Sequence, residues 1–287
     1  MKTYLDCFPC MLRQALEAAR MAKADAGQQR AVLNRVMELL AVVPVDNTPA
    51  ETGYHVHRIV REMTGVRDPY RLVKEEATGK ALPLVPRLRE IVAQADDPLE
   101  QAVRIAIAGN IIDFAPDKVM NPSKELQFTL EATLERVLHQ PFAINDLEAL
   151  RRALSKAQRV LYLADNAGET VFDRVLIEVL EQPVIYAVKG GPTINDATQE
   201  DAVAAGLGEV AEIVSTGSDA PGTVLESCSP AFRQLYDQAE LIIAKGQANH
   251  EALGEGGRRL FFLLQVKCSV LGREIGTEPG SIILKQG

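Results

Sequence analysis

Apolar residues recur at three- and four-residue spacing through the first half of the chain. The spacing predicts helices near 8–24, 28–42, 50–65, 71–94, 98–114, 122–139 and 145–157. Gly27, Pro44, Gly65, Pro69, Pro98, Pro116, Pro122 and Pro141 fall between these segments, and Asn121-Pro122 and Asn145 have the character of helix starts. Pro83 and Pro86 interrupt the fourth segment. Beyond residue 157 the pattern changes to short, β-rich apolar runs: 160–164, 184–188, 212–215, 241–244 and 261–264, with Ile282-Ile283-Leu284 as a candidate edge strand. Helical stretches at 169–181, 197–205 and 229–239 separate the first four runs, which is the pattern of parallel strands joined by right-handed crossovers. Continuous apolar strands imply a sheet covered on both faces. The expected fold is α/β: a three-layer α/β/α, Rossmann-like, mostly parallel sheet at 158–287. A multihelical N-terminal domain at 1–157 precedes it, its later helices lining the active-site cleft.

Length and composition narrow the class. A chain of 287 residues buries a substantial core, and 47% hydrophobic with 24% charged residues is ordinary for a globular enzyme. No segment approaches the roughly 20 uninterrupted apolar residues of a membrane helix. The opening Met1-Lys2-Thr3-Tyr4-Leu5-Asp6 lacks the apolar run of a secretory signal, so a cytoplasmic protein is expected. A formal net charge of -8 with scattered basic residues argues against nucleic acid as a partner. Four cysteines, Cys7, Cys10, Cys228 and Cys268, do not suggest a disulfide framework in a chain of this size.

In open α/β sheets the ligand crevice lies beyond the carboxyl ends of the strands. Here those ends read Asp165-Asn166-Ala167-Gly168-Glu169-Thr170, then 189–198 (Lys189-Gly190-Gly191-Pro192 through Asn195-Asp196-Ala197-Thr198), then Ser215-Thr216-Gly217-Ser218, then Lys245-Gly246-Gln247-Ala248-Asn249. Asp165, Asn166 and Asp196 supply oxygen ligands of the kind hard divalent cations prefer, leaving positions for water and a substrate phosphate. Mg²⁺ or Mn²⁺ suits such a set. Lys189 and Lys245 offer positive charge for the remaining phosphate oxygens. Gly168, Gly190, Gly191, Gly217 and Gly246 let backbone N–H groups approach an anion. An isolated Asp-Asn before glycine is usually a turn or a cap, and an isolated Lys-Gly is no more informative. Their recurrence at successive ends of one sheet favours a shared crevice.

At these residues the sequence resembles the damage-control phosphatase family, formerly domain of unknown function 89. The resemblance rests on Asp165-Asn166-Ala167-Gly168-Glu169, on the segment from Gly191 to Thr198, and on the segment from Leu241 to Asn249, together with Gly109-Asn110-Ile111-Ile112-Asp113 and Cys7-Phe8-Pro9-Cys10. It covers nearly the whole chain, and the Cys-x-x-Cys is similar to that of the shorter archaeal and bacterial branch. The resemblance implies metal-dependent hydrolysis of phosphomonoesters on sugars or damaged metabolites, with Mn, Mg, Co or Ni as the ion. Carried over by position, it implies Asp165, Asn166 and Asp196 as metal ligands. It also implies Glu169, Asn110, Asp113, Lys245 and Asn249 as lining of the substrate pocket, with Lys245 nearest the phosphate. His250 stands where the family carries an aromatic residue.

The expected mechanism has Lys245 offsetting charge that develops on the phosphoryl group, while water or a carboxylate, Asp165 or Asp196, attacks in line. Water is the favoured nucleophile, with Asp196 or Glu169 as its base. The expected partner is a small phosphorylated metabolite. A Rossmann-like methyltransferase is an alternative, against which stands the missing Gly-x-Gly-x-x-Gly turn after the first strand. A non-catalytic module that binds phosphorylated ligands is another. Cys7 and Cys10 are open to three readings: a soft-metal site shared with Cys268 or Cys228, a redox pair, or an incidental structural role. His55 and His57, two apart on a predicted helix, point in different directions and are expected to be packed or solvated rather than a ligand pair.

Overall fold

The computed structural model describes residues 1–44, 46–111, 126–254 and 256–287. Three helices open the chain: α1 (Cys7–Met21), α2 (Ala26–Val42) and α3 (Pro49–Thr64). Reciprocal capping boxes, Asp25 with Gln28 and Thr48 with Glu51, start α2 and α3, and Gly65 ends α3 in the left-handed region at φ 70°. Met11, Ala15, Val32, Val36, Val56 and Val60 recur at helical spacing and bury one another as a separate small core. The segment expected at 71–94 is split into α4 (Arg71–Ala81) and α5 (Val85–Ala93) by a short 3₁₀ turn at Leu82–Leu84. Pro83 and Pro86 each remove a backbone donor there, so the α ladder cannot run through. Next come α6 (Pro98–Ile111) and α7 (Leu126–His139).

The remainder alternates strands and helices. The strands are β1 (Phe142–Asn145), β2 (Val160–Leu163), β3 (Val184–Val188), β4 (Glu212–Ser215), β5 (Leu241–Lys245), β6 (Leu260–Gln265) and β7 (Ile282–Gln286). Between and after them lie α8 (Leu147–Leu154), α9 (Thr170–Ile177), α10 (Gln199–Ala204), α11 (Pro230–Gln238), α12 (Gly246–Leu253) and α13 (Ser269–Ile275). Among the described residues they form one seven-stranded sheet of order β1-β7-β6-β5-β2-β3-β4. β2 to β6 are mutually parallel, β7 runs antiparallel to β6, and β1 pairs parallel with β7.

Two expectations are corrected here. Ile282-Ile283-Leu284 is not an edge strand, because β1 pairs outside it. β1 itself falls in the half read as wholly helical: it is four residues long and half-buried in alternation, too short to announce a period of its own. The helices at Gly246–Leu253 and Ser269–Ile275 are not among the expected segments.

Alternate residues of each central strand feed different cores. Val160, Tyr162, Tyr186, Leu241, Ile243, Phe261 and Leu263 face a core shared with α5, α6, α8 and α9. Leu161, Leu163, Ile185, Ile242, Phe262 and Leu264 face another beneath α11 and α13. That is the two-sided burial a parallel sheet requires. On the first face α6 lies close to α9: a Cβ added at Gly109 would stand 2.9 Å from Phe172 Cβ and 3.0 Å from Phe172 Cγ.

Gly109→Val is therefore expected to destabilise the fold by ~1–3 kcal/mol through overpacking. Urea unfolding measures it, and an unchanged midpoint would mean that α6 is not held against α9 by this glycine.

Candidate active site

β2 starts the parallel part of the sheet. The chain then builds outward through β3 and β4, and returns to place β5 on the other side of β2. The ends of β2 and β5 thus flank a topological switch point, where α/β sheets open a crevice. Asp165 and Asn166 follow β2, and Lys245 ends β5. The turn out of β5 passes so close to β2 that a Cβ at Gly246 would collide with the Asp165 carboxylate, and Gly246 has φ 79°. Glycine is required there on both counts.

Asp196 arrives by a different route. The loop after β3 folds back over the end of β2: Lys189 N–H donates to Ala197 O at 2.9 Å, Ala197 N–H to Asp165 O at 2.8 Å, and Ala167 N–H to Asn195 O at 2.8 Å. A bridge pairs Asn166 with Asp196 directly. Ile194 turns this loop at φ 43°, a conformation costly for a β-branched residue, on the order of 1–3 kcal/mol. Its side chain packs on the small core of α1 to α3, which holds the turn in place. Asp165, Asn166 and Asp196 consequently line one cleft of about 490 Å³, whose other wall includes Cys7, Gln14, His57 and Glu251.

Behind the cleft floor lies a fully buried polar network. Lys245 Nζ donates to Ala106 O at 2.9 Å, Glu169 Oε2 at 3.0 Å and Asp173 Oδ1 at 2.6 Å. Asp173 also accepts from Tyr162 OH and Tyr186 OH, both at 2.7 Å. Glu169 Oε1 accepts from Asn166 Nδ2 at 2.5 Å and Asn110 Nδ2 at 2.6 Å, and the same two amides donate to Asp165 Oδ2 at 3.2 and 3.0 Å. Burial alone would depress the Lys245 ammonium, but Asp173 and Glu169 outweigh it and raise the group above its ordinary value. Burial raises the Asp173 carboxyl, and Lys245 pulls it back. Burial also raises both tyrosines well above theirs, so they are hydroxyl donors at any working pH.

This arrangement relocates several expected residues. An ammonium has three N–H donors, and all three of Lys245 are spent on protein acceptors with no surface exposed. It is placed as a support behind Glu169 rather than as an open phosphate clamp. Glu169, 1% exposed and accepting three hydrogen bonds, orients Asn166 and Asn110 and is poorly placed as a base for water. Asn110 and Asn249 are both wholly buried. Asn249 donates to Ala164 O and Lys245 O and accepts from Thr223, so it ties the ends of β2 and β5 together instead of lining the pocket. Lys189 sits 3.5 Å from Asp196 Oδ2 and also contacts Gly222 O, which makes it a partner of a candidate ligand. Asp113 lies outside the described residues.

The candidate ligand set fits a hard cation in its chemistry. Because Asn166 turns its NH₂ to Glu169 and Asp165, its amide oxygen faces away from both. Two carboxylates and one amide oxygen leave coordination positions open for substrate. Among the described residues no cluster of three or more His, Cys, Asp or Glu side chains is arranged to hold an ion, which also leaves the soft-metal reading of the cysteines without a closed site. Cys7, Cys10 and Cys268 are free thiols on the cleft wall, while Cys228 is buried away from it, its thiol pushed up to about 11 by burial.

Sequence reasoning missed Asp173, Tyr162 and Tyr186. The signal was two tyrosines at matching positions of aliphatic strands, Tyr162 paired with Tyr186, whose hydroxyls need a buried acceptor. His57 is packed, as one of its two expected fates, and burial and Arg61 lower it to about 4. His250 packs edge-on against Phe262 at 4.7 Å, and burial lowers it to about 4. It serves as a neutral ring where an aromatic residue was expected.

Glu251 carries a pH signature. Burial raises its carboxyl to about 7, opposed by a hydrogen bond from Gln247 at 2.7 Å. The folded state therefore holds a proton that the unfolded chain releases near 4.5, and stability falls as pH rises from there through about 7. Glu251→Gln should abolish that decline and leave the protein more stable than wild type at pH 8. Urea titrations at pH 5 and 8 measure the difference, and equal pH slopes in the two proteins would remove Glu251 as its source.

Comparison with known proteins identifies the family. The damage-control phosphatase ARMT1-like domain matches residues 3–283. An uncharacterized protein of Methanocaldococcus jannaschii is 35% identical over 97% of this chain and 93% of its own. The damage-control phosphatase PH1575 of Pyrococcus horikoshii is 34% identical over 99% and 97%, and the damage-control phosphatase of Archaeoglobus fulgidus is 32% identical over 97% of each. The crystal structure of the Pyrococcus horikoshii protein, described as a DUF89 family protein, superposes with a TM-score of 0.87 at 31% identity, covering 100% of this chain and 99% of that one. On these matches the chain belongs to the ARMT1-like damage-control phosphatase family.

Proposed function

We propose that the protein hydrolyses phosphomonoesters of small metabolites, sugar phosphates or damaged phosphometabolites, with a divalent cation held by Asp165, Asn166 and Asp196. The observation that carries this reading is the meeting of Asp165, Asn166 and Asp196 on one cleft at the switch point, with the Asn166 NH₂ held by Glu169. A divalent ion bound there supplies charge neutralisation for a phosphoryl oxygen. The chain's own residues do the rest. Glu169 keeps the Asn166 amide turned, and Asn110 steadies both Glu169 and Asp165. Asp196, on the cleft wall with Lys189 3.5 Å from its Oδ2, is the carboxylate that remains to accept a proton from attacking water, through the oxygen that the cation and Lys189 leave free. Residues of α1 and α3, among them Cys7, Gln14 and His57, form the opposite wall of the cleft.

The match to damage-control phosphatases favours chemistry over simple ligand binding. The family match is to a domain described as a damage-control phosphatase, which favours phosphoryl chemistry over methyl transfer.

Phosphate release from an aryl phosphate is expected with added Mn²⁺ or Mg²⁺ and to vanish with EDTA. Asp165→Ala should lose both turnover and Mn²⁺ binding while remaining folded. Full turnover by that variant, or by metal-stripped protein, would sink the assignment, and Mn²⁺ binding without phosphate release would favour the non-catalytic alternative.

A further inference from the structure

Asp173 has 0% exposure, lies one residue beyond the aromatic that packs on Gly109, and touches neither the cleft nor any candidate ligand. A buried charge pair is expensive, and an apolar pair of similar volume is often as stable or more so. Yet two strands each contribute a tyrosine hydroxyl to this one carboxylate, and a lysine completes its coordination. Stability alone does not call for that arrangement. What it does achieve is a fixed ammonium: with Asp173 Oδ1 at 2.6 Å and Ala106 O at 2.9 Å, the third N–H of Lys245 can point only at Glu169 Oε2.

We propose that Asp173, braced by Tyr162 and Tyr186, is a positioning residue that sets the Asn166 amide through Lys245 and Glu169. The inference rests on the reading of Asp165, Asn166 and Asp196 as metal ligands. Each link is a hydrogen bond of 2.5–3.0 Å between buried groups: Asp173 to Lys245, Lys245 to Glu169, Glu169 to Asn166. Without Asp173 the ammonium has a single carboxylate partner and draws Glu169 toward itself. Glu169 then releases its hold on the Asn166 NH₂, and the amide oxygen loses its fixed direction. Outer partners of this kind cost roughly 10–100-fold in metal affinity when removed.

Mn²⁺ titration, aryl phosphate turnover and urea unfolding of wild type, Asp173→Asn, Tyr186→Phe and the Tyr162→Phe, Tyr186→Phe double variant form the test. Asp173→Asn is expected to weaken Mn²⁺ binding about tenfold or more. The tyrosine variants keep the carboxylate and should weaken binding in the same direction, the double variant more than the single. A structural role would lower the unfolding midpoint and leave the Mn²⁺ affinity of folded protein at the wild-type value. That result in Asp173→Asn, or in the double tyrosine variant should Asp173→Asn fail to fold, overturns the role of Asp173 alone. A wild type that neither binds Mn²⁺ nor releases phosphate overturns both this role and the proposed function beneath it.

Discussion

Lys245 Nζ is the group on which the site depends. It sits at the end of β5, donates to α6 through Ala106 O, and pairs with two carboxylates, one at the start of α9 and one within it. Taking an ammonium out of water costs several kcal/mol, and only well-placed partners return it. Those partners are Asp173 and Glu169, and they come from an element that follows β2 directly. The ion set therefore joins the two strands on either side of the switch point and fixes where Asp165 and Asn166 must lie. Removing the lysine would leave two carboxylates 0% and 1% exposed without their counter-charge.

The second constraint comes from outside the sheet. Asp196 is carried by a loop, and loops are the less rigid carriers of functional groups. Two backbone hydrogen bonds, which make up the Asn166–Asp196 bridge, pin it to the end of β2, and a third ties it to Lys189 at the end of β3. The strained Ile194 turn anchors it to the core of α1 to α3. Arg61 of α3 adds a hydrogen bond to Pro192 O at 3.0 Å and an ion pair to Asp219. The helical region thus does more than wall the cleft, because it holds one of the two candidate carboxylates in register with the other.

Much of this was legible in the residues. The run at 184–188 coincides with β3, because β-branched residues buried on both faces leave a continuous apolar signal, and the run at 212–215 coincides with the half-exposed edge strand β4 through its Ile213-Val214 pair. The convergence of Asp165, Asn166 and Asp196 followed from reading the strand ends as one crevice. What sequence could not supply was depth. Lys245, Glu169 and Asn249 have the chemistry of substrate-binding groups, and their letters do not say that all three are buried and hydrogen-bonded inside the protein. Asp173 shows the converse: on a helix it reads as a solvated acid, and only the pairing of Tyr162 with Tyr186 betrays its burial. β1 was lost for a simpler reason, as four half-buried residues after Pro141 carry too little pattern to stand out from a loop.

The central claim is that Lys245 acts on the site through Glu169 and not by touching phosphate. A double-mutant cycle on kcat/KM, with Lys245→Met, Glu169→Gln and their combination, tests it most directly. If the lysine works through the glutamate, the two losses are strongly non-additive, with a coupling on the order of 0.5–3 kcal/mol and a double variant scarcely worse than the poorer single one. If Lys245 meets the substrate independently, the losses add, and the account is contradicted.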